Sequence, residues 1–434
     1  MRSSAGQQPL KVAVAGLGTV GGGVVKLLQA NAEALALRTG RGIAITAVSD
    51  RFRRDRGFSV DGYAWYDDAV AMTQQADADV VVELIGGAEG AARQVCEAAI
   101  ARGRHVVTAN KALIAHHGTA LAAAAEGAGV VLAYEAAVAG AIPIIKALRE
   151  GLVGNRRTRV FGILNGTCNY ILTQMRESGR EFETVLAEAQ ALGYAEADPG
   201  FDVDGIDAAH KLAILATVAF GCTLEFGALH IEGIRHVSPV DIAFAEELGY
   251  RIKLLGIASL TDGGVERRVH PCMLRRGAPV AHVEGVFNAV VAEGDFADRI
   301  VQEGRGAGER PTASAVVADI ADIACGRHAP TFGIPVERLQ ALPALPMSRH
   351  RGCYYVRLML LDQPGVLADV TAILRDDAVS MEAVLQRARA PGEAVPVVMT
   401  THEAEEASMV QALRRIGELP SSVEPPRMIR IEPF

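Results

Sequence analysis

The sequence predicts an α/β protein in three parts: a doubly wound parallel sheet, an α+β region and a small βαββαβ unit. Three observations carry that prediction. Residues 10–30 read as a β-branched strand, a glycine turn and an apolar-periodic helix. Strand and helix patterns then alternate to about residue 140. After prolines at 330, 335, 343 and 346 the pattern restarts as strand, helix, strand, strand, helix, strand. A length of 434 residues suits about three domains. The expected boundaries are 1–140, completed by a returning segment at about 310–345; 141–309; and 350–434.

Half of the chain is hydrophobic and 22% is charged, a mix that folds. Lys plus Arg number 43 against 51 Asp plus Glu, a net charge of −8. A mildly acidic chain without a basic run argues against nucleic acid or an anionic membrane as partner. No stretch of about 18 uncharged apolar residues reads as a membrane span. The opening MRSSAGQQPL lacks a signal-peptide core. The expectation is a soluble, cytoplasmic protein. Cys96, Cys168, Cys222, Cys272, Cys325 and Cys353 are too scattered for a CxxC pair and suit reduced thiols. The histidines form no HExxH, and His116 and His117, as helix neighbours, point about 100° apart. No transition-metal site is expected.

Taken in order, LKVAVA (10–15) is the first strand, GLGTVGGG its turn and VVKLLQANAEALAL the helix. Gly16, Gly18 and Gly21 fit G-x-G-x-x-G in the context that motif requires, with Thr19 and Val20 between them. Gly16 makes the tight turn, Gly18 lets the backbone approach a pyrophosphate, and Gly21 lets helix pack on strand. Phosphates then sit on the free N–H groups of the helix start. This is a Rossmann-type dinucleotide signature. The second strand, IAITAVSD, ends at Asp50, and an acid there binds the ribose 2′-hydroxyl of NAD. Arg51, with Arg53 and Arg54 close behind, suits the 2′-phosphate of NADP, so both cofactors stay open. ADVVVELIGG and HVVTAN are further strands. Gly86, Gly87, Asn110 and Lys111 fall at their ends, where such sheets bind ligands. VVLAYEAAV reads as the last strand of this part.

In the middle region, TRVFGILNGTCNYIL reads as a strand with a polar break at Asn165-Gly166-Thr167, and FETVLAEAQALG as a helix. An acid-rich stretch follows, with Glu196, Asp198, Asp202, Asp204 and Asp207. From Gly205 onward it becomes a long apolar helix. Asp207 and Lys211 are i and i+4 on one face. A helix apolar on all sides is buried, and a buried lysine beside a carboxylate suits proton transfer. The plain alternative is an ion pair worth ~0.3–0.5 kcal/mol. AGERPTASAVVADIADIAC reads as a helix returning to the first part.

GLGTVGGG, TANK (Thr108 to Lys111), YEAAVAGAIPII, GILNGTCNYI, GYAEADPGFDVDGIDAAHK and the GAG–PTASAVVAD stretch together resemble the homoserine dehydrogenase family over about residues 9–345. The resemblance implies oxidation of L-homoserine to L-aspartate 4-semialdehyde, with hydride passing to NAD(P)+ and the reverse reduction dominating physiologically. The pathway implied is threonine, methionine and isoleucine biosynthesis. By the same resemblance Glu196 binds the substrate ammonium, Asp202 and Asp207 hold the substrate and orient a lysine, and Gly166 and Thr167 line the substrate site. Lys211 and Lys111 are the two lysines near the chemistry, with Lys211 preferred as acid/base. Gly86, Lys111 and Gly308 join the cofactor site. The carbonyls of Glu135, Val138, Gly140 and Ile142 match the family's loop for a sodium or potassium ion. Arg305 stands where the family usually has proline, and Glu309 is an unusual charge there. A homodimer or homotetramer is expected, in the form without an upstream kinase.

The tail has the ferredoxin-like order, and LLDQPGVLADV resembles an ACT domain. That resemblance puts Asp362 and Gly365 in a loop contacting an amino-acid effector, expected to be L-threonine. Two other classes compete. Cys168 in NGTCNY is weakly similar to the nucleophile loop of acylating semialdehyde dehydrogenases, which need a nearby His base. A cofactor-binding regulator without turnover is the second, and it leaves Asp207 and Lys211 without a purpose.

Overall fold

A computed structural model describes residues 8–53, 56–387 and 392–434. Arg54, and Ala388 at the end of the expected strand VSMEAVLQRA, lie outside the described residues. Six strands form one parallel sheet: β1 (Leu10–Ala15), β2 (Ile43–Ser49), β3 (Ala64–Tyr66), β4 (Val80–Glu83), β5 (His105–Thr108) and β6 (Leu132–Ala133), in the order β3-β2-β1-β4-β5-β6. The strands are Val- and Ala-rich because helices cover both faces. Val12, Val14, Val80 and Val82 pack with Val24, Val25, Val316 and Ile320 on one side. Ala13, Ala15, Val81 and Val106 pack with Val95 and Leu113 on the other. The chain leaves β1 in one direction and returns to β4 in the other, so the switch point lies between them, where such sheets open a ligand crevice. The helix Glu309–Ala324 returns to pack on the helix Thr19–Ala30.

The expected strand VVLAYEAAV stops at Ala133, and Glu135–Ala137 turns as a 3₁₀ helix. Just beyond it, Gly140 takes φ +55°, and a Cβ there would lie 2.5 Å from the Gly306 carbonyl oxygen, where the chain leaving this sheet touches the segment that leads into the returning helix Glu309–Ala324. Neither β3 nor the helix Ala69–Gln75 was anticipated, although Asp68 caps that helix by accepting from Val70 and Ala71 N–H.

The remaining strands are β7 (Arg157–Ile163), β8 (His230–Ile231), β9 (Tyr250–Thr261), β10 (Gly264–Arg275), β11 (Phe287–Gly294), β12 (Asp298–Arg305), β13 (Arg351–Leu361), β14 (Met381–Gln386), β15 (Ala394–Thr401), β16 (Ala404–Glu405) and β17 (Arg427–Glu432). They form a single sheet in the order β12-β11-β7-β9-β10-β17-β13-β15-β14, with β8 on β10 and β16 on β13. The strand expected across Asn165 ends at Ile163. Asn165 instead caps the helix Gly166–Ser178, its Oδ1 accepting from Cys168 N–H, so TCNYIL is helical.

The tail is not a bead on a linker. β17 runs parallel to β10, with Cys272, Met273 and Leu274 opposite Arg430, Ile431 and Glu432. Ion pairs reinforce the joint: buried Arg268 pairs with Glu432, buried Arg357 with Asp241, and Arg430, itself held within the tail by Glu406, with the half-exposed Glu232. Among the described residues no helix is long and apolar enough to cross a membrane.

Candidate active site

β1 ends in the glycine turn. Gly16 takes φ +95°, and a Cβ there would sit 2.7 Å from the Leu84 carbonyl oxygen. A Cβ on Gly21 would lie 1.9 Å from the Gly16 oxygen, so the helix can approach the strand only as glycine. Gly18 faces open space. The helix Thr19–Ala30 starts there without a side-chain cap, leaving the N–H groups of Thr19, Val20 and Gly21 for an anion. These features fit a pyrophosphate. Gly308, at φ +119°, opens the helix that packs alongside. Glu309, unusual by sequence, is accounted for by an ion pair to Lys26 at 2.8 Å.

Asp50 accepts from Leu17 N–H (3.1 Å) and Phe52 N–H (3.2 Å) and pairs with Arg56 at 3.0 Å. Burial works against its ionisation, but those backbone bonds and the Arg56 guanidinium outweigh it and hold the carboxyl below its usual range. Arg51 is exposed. Arg53 and Arg56 both lie over the Trp65 ring, at 5.5 and 5.6 Å.

Lys111 is the first residue of the helix Lys111–Gly127, just past β5. Its Nζ lies 3.2 Å from Asp207 Oδ1. Lys211 Nζ donates to Asp207 Oδ2 and to the Leu164 carbonyl, both at 2.7 Å. One buried carboxylate, 4% exposed, therefore holds two lysines, Lys211 from its own helix and Lys111 from the helix after β5. Burial would raise the Asp207 carboxyl, but Lys211 and Lys111 outweigh it and keep the group well below the usual carboxylate range. Asn165 Nδ2 donates to Asp207 and Asp202, each at 2.8 Å. Asp202 is pushed up, first by burial and then by the Asp207 charge.

Gly166 opens its helix where a Cβ would meet the Val286 oxygen at 2.8 Å, and Thr167 Oγ1 donates to the Tyr194 carbonyl. Glu196 stands apart. It is exposed, and among the described residues only its carbonyl is held, by Gln190 Nε2 at 2.9 Å. Cys168 is fully buried, and burial pushes its thiol far up, so a resting thiolate nucleophile is disfavoured. In the 135–142 turn no described backbone N–H donates to the carbonyls of Val138 or Gly140, whereas those of Glu135 and Ile142 each accept one. Asp362 and Gly365 line a depression of about 270 Å³ in the tail. His270, Cys272 and Glu432 converge in the core, a grouping hidden by sequence scatter, but the Arg268 guanidinium bonds both His270 and Glu432.

Two family models match the chain: homoserine dehydrogenase over residues 143–321, and the homoserine dehydrogenase NAD binding domain over 16–135. Homoserine dehydrogenase of Pseudomonas aeruginosa is 45% identical, covering 98% of this chain and 99% of its own length. The chain belongs to the homoserine dehydrogenase family. The homoserine dehydrogenase of Neisseria gonorrhoeae is 44% identical over 98% of this chain and 99% of its own. The solved homoserine dehydrogenase from Thiobacillus denitrificans superposes with a TM-score of 0.91 at 44% identity, with 98% of each chain covered. A hyperthermophilic archaeal homoserine dehydrogenase in complex with NADPH matches 73% of this chain and 97% of its own, with a TM-score of 0.62 and 27% identity. The activity is the NAD(P)-dependent interconversion of L-homoserine and L-aspartate 4-semialdehyde, a step of amino-acid biosynthesis.

For a homoserine dehydrogenase site, the geometry adds residues that spacing did not single out. Asn288 Nδ2 donates to the same Leu164 carbonyl that Lys211 uses. Phe201 lies under Lys111, its ring 5.5 Å from Nζ. His210 stacks on Phe226 and shares a hydrogen bond with His116 of the Lys111 helix. Glu83 ends β4 fully buried. Asn165 was readable only as a polar break in a strand; the others are joined only by tertiary packing.

Proposed function

We propose that Lys211 exchanges the hydroxyl proton and that Asp207 fixes both lysines for that task. Two of the three Lys211 donor hydrogens are committed to Leu164 and Asp207, which leaves one for the substrate oxygen. In reduction that hydrogen goes to the aldehyde oxygen as the carbon gains hydride, and Lys211 is left as the amine. In oxidation the amine takes the hydroxyl proton as hydride leaves the carbon. The bound nicotinamide supplies or accepts the hydride. Lys111, more exposed at 32% of its side chain, steadies the developing alkoxide charge.

Asp202 and Glu196 receive the substrate ammonium. A cation beside Asp202 offsets the burial and the Asp207 repulsion that now raise it. The first turn of the helix Gly166–Ser178, with Thr167, suits the substrate carboxylate. The adenosine end takes NAD or NADP at Asp50 and Arg51. The carbonyls of Glu135, Val138, Gly140 and Ile142 hold a sodium or potassium ion, which the two uncommitted oxygens favour. The tail is an ACT-type unit that binds L-threonine at Asp362 and Gly365 and inhibits the enzyme, a cytoplasmic homodimer or homotetramer.

The observation that carries this reading is the shared carboxylate: two lysines from different helices meet on Asp207. Its test follows reduced-nicotinamide absorbance with L-homoserine, in NAD+ and NADP+ separately, with and without L-threonine, for wild type and Lys211→Ala. Turnover in wild type, lost in the variant, is expected. Full turnover in Lys211→Ala would remove Lys211 from the proton step, and indifference to threonine would remove the effector.

A further inference from the structure

Glu83 is a fully buried carboxylate at the tip of β4, with no role in the scheme above. Its Oε1 accepts from Ile85 N–H (2.7 Å) and Gly86 N–H (3.2 Å). Its Oε2 accepts from Thr108 Oγ1 at 2.6 Å. The Thr108 oxygen already accepts from Asn110 N–H, so its hydrogen is free to donate to Glu83. All these partners are donors, the pattern of an acceptor-only carboxylate. Among the described residues no ion pair joins Glu83 to a cation. The chain of bonds continues, since Asn110 Nδ2 donates to the Gly87 carbonyl and Asn110 Oδ1 accepts from Leu113 N–H. One buried charge thus ties the 85–87 loop to the start of the helix that carries Lys111.

The site reading above puts the adenosine at Asp50, after β2, and the pyrophosphate at Gly16–Gly21, after β1. The nicotinamide end then falls beyond β4 and β5, over Glu83. We propose that Glu83 is a positioning residue for the known reaction: it shapes this end of the cofactor pocket and favours the charged, oxidised ring over the neutral, reduced one. An unpaired negative charge in a dry setting acts strongly on a nearby cation and hardly at all on a neutral ring.

The proposal rests on that placement of the cofactor, and binding constants test it without turnover. Dissociation constants for oxidised and reduced nicotinamide dinucleotide are measured by titration calorimetry on wild type and Glu83→Gln. The amide keeps the shape and removes the charge. The expected result is a shift of about tenfold in the ratio of the two constants toward the reduced form. Equal changes in both constants, or none, in a folded variant would overturn the proposal. Should Glu83→Gln not fold, Thr108→Val keeps the charge and cuts its link to Asn110. It should preserve the oxidised-over-reduced preference while lowering kcat, and loss of the preference with kcat intact overturns the proposal. Wild type that binds neither nucleotide would overturn the cofactor placement together with the proposal.

Discussion

Replacing Asp207 with asparagine keeps the shape of the site and deletes the charge its two lysines share. The expected outcome is a fall in kcat of about 10²-fold or more, the scale of lost acid–base catalysis, with affinity for NAD(P)H retained. Stopped-flow turnover and a nucleotide titration measure the two separately. A variant at wild-type kcat would contradict the role given to the carboxylate. Spacing alone made the Asp207–Lys211 half of this cluster legible, because i and i+4 share a helix face. Spacing placed Lys111 only at a strand end, and the family resemblance alone put it near the chemistry. Its distance from Asp207 depends on how two layers pack, which no local pattern encodes. Asn165 was visible as a polar break, and its bridging of Asp202 and Asp207 was not.

Among the elements, β1, β2, β4 and β5 were readable because buried parallel strands are continuous β-branched runs ending in glycine or polar turns. β9, β10, β11 and β12 went unread, and so did the register that joins β17 to β10. Pairing partners are chosen by long-range contacts, so a strand can be legible while its neighbour is not. The helix Pro239–Glu247 shows what such contacts secure. Its Asp241 forms a capping box with Ser238 and also accepts from Arg357 Nε (2.8 Å) and Tyr355 Oη (3.0 Å) of β13. Arg357→Ala would leave Asp241 buried without its cation. A loss of about 3–5 kcal/mol is expected, read as a lowered urea midpoint. A change within about 0.5 kcal/mol, the range of ordinary surface substitutions, would show that the pair carries no such load.

At the scale of the whole molecule, the joint between the middle sheet and the tail is ionic and therefore sensitive to acid. Burial works against the Glu266 carboxylate, but the His350 hydrogen bond and the Arg268 charge outweigh it and draw its pKa down to about 2 from 4.5. A depressed carboxyl adds stability above its unfolded value and loses it as pH falls through the folded one. Up to about 3 kcal/mol is therefore expected to disappear between roughly pH 4.5 and 2. Urea unfolding across that range should be steeply pH-dependent in wild type and flatter in Glu266→Gln. Equal slopes would place the acid sensitivity elsewhere. The changes of strand and helix pattern along the chain were legible because glycine and proline punctuate it. The fusion of the last two parts into one sheet was not, because β17 borrows β10 as a neighbour from the preceding part.

That fusion bears on where the chain can be cut. Ending it after Pro346 would remove β17, stranding a row of peptide groups on β10 at Cys272–Leu274 and leaving Arg268 without Glu432. An open strand of this kind is a template for a second molecule. The shortened protein should self-associate in light scattering at concentrations where the full chain does not. A tractable truncation would have to carry its own guard, a lysine or a proline set into β10, before the catalytic half could be handled alone.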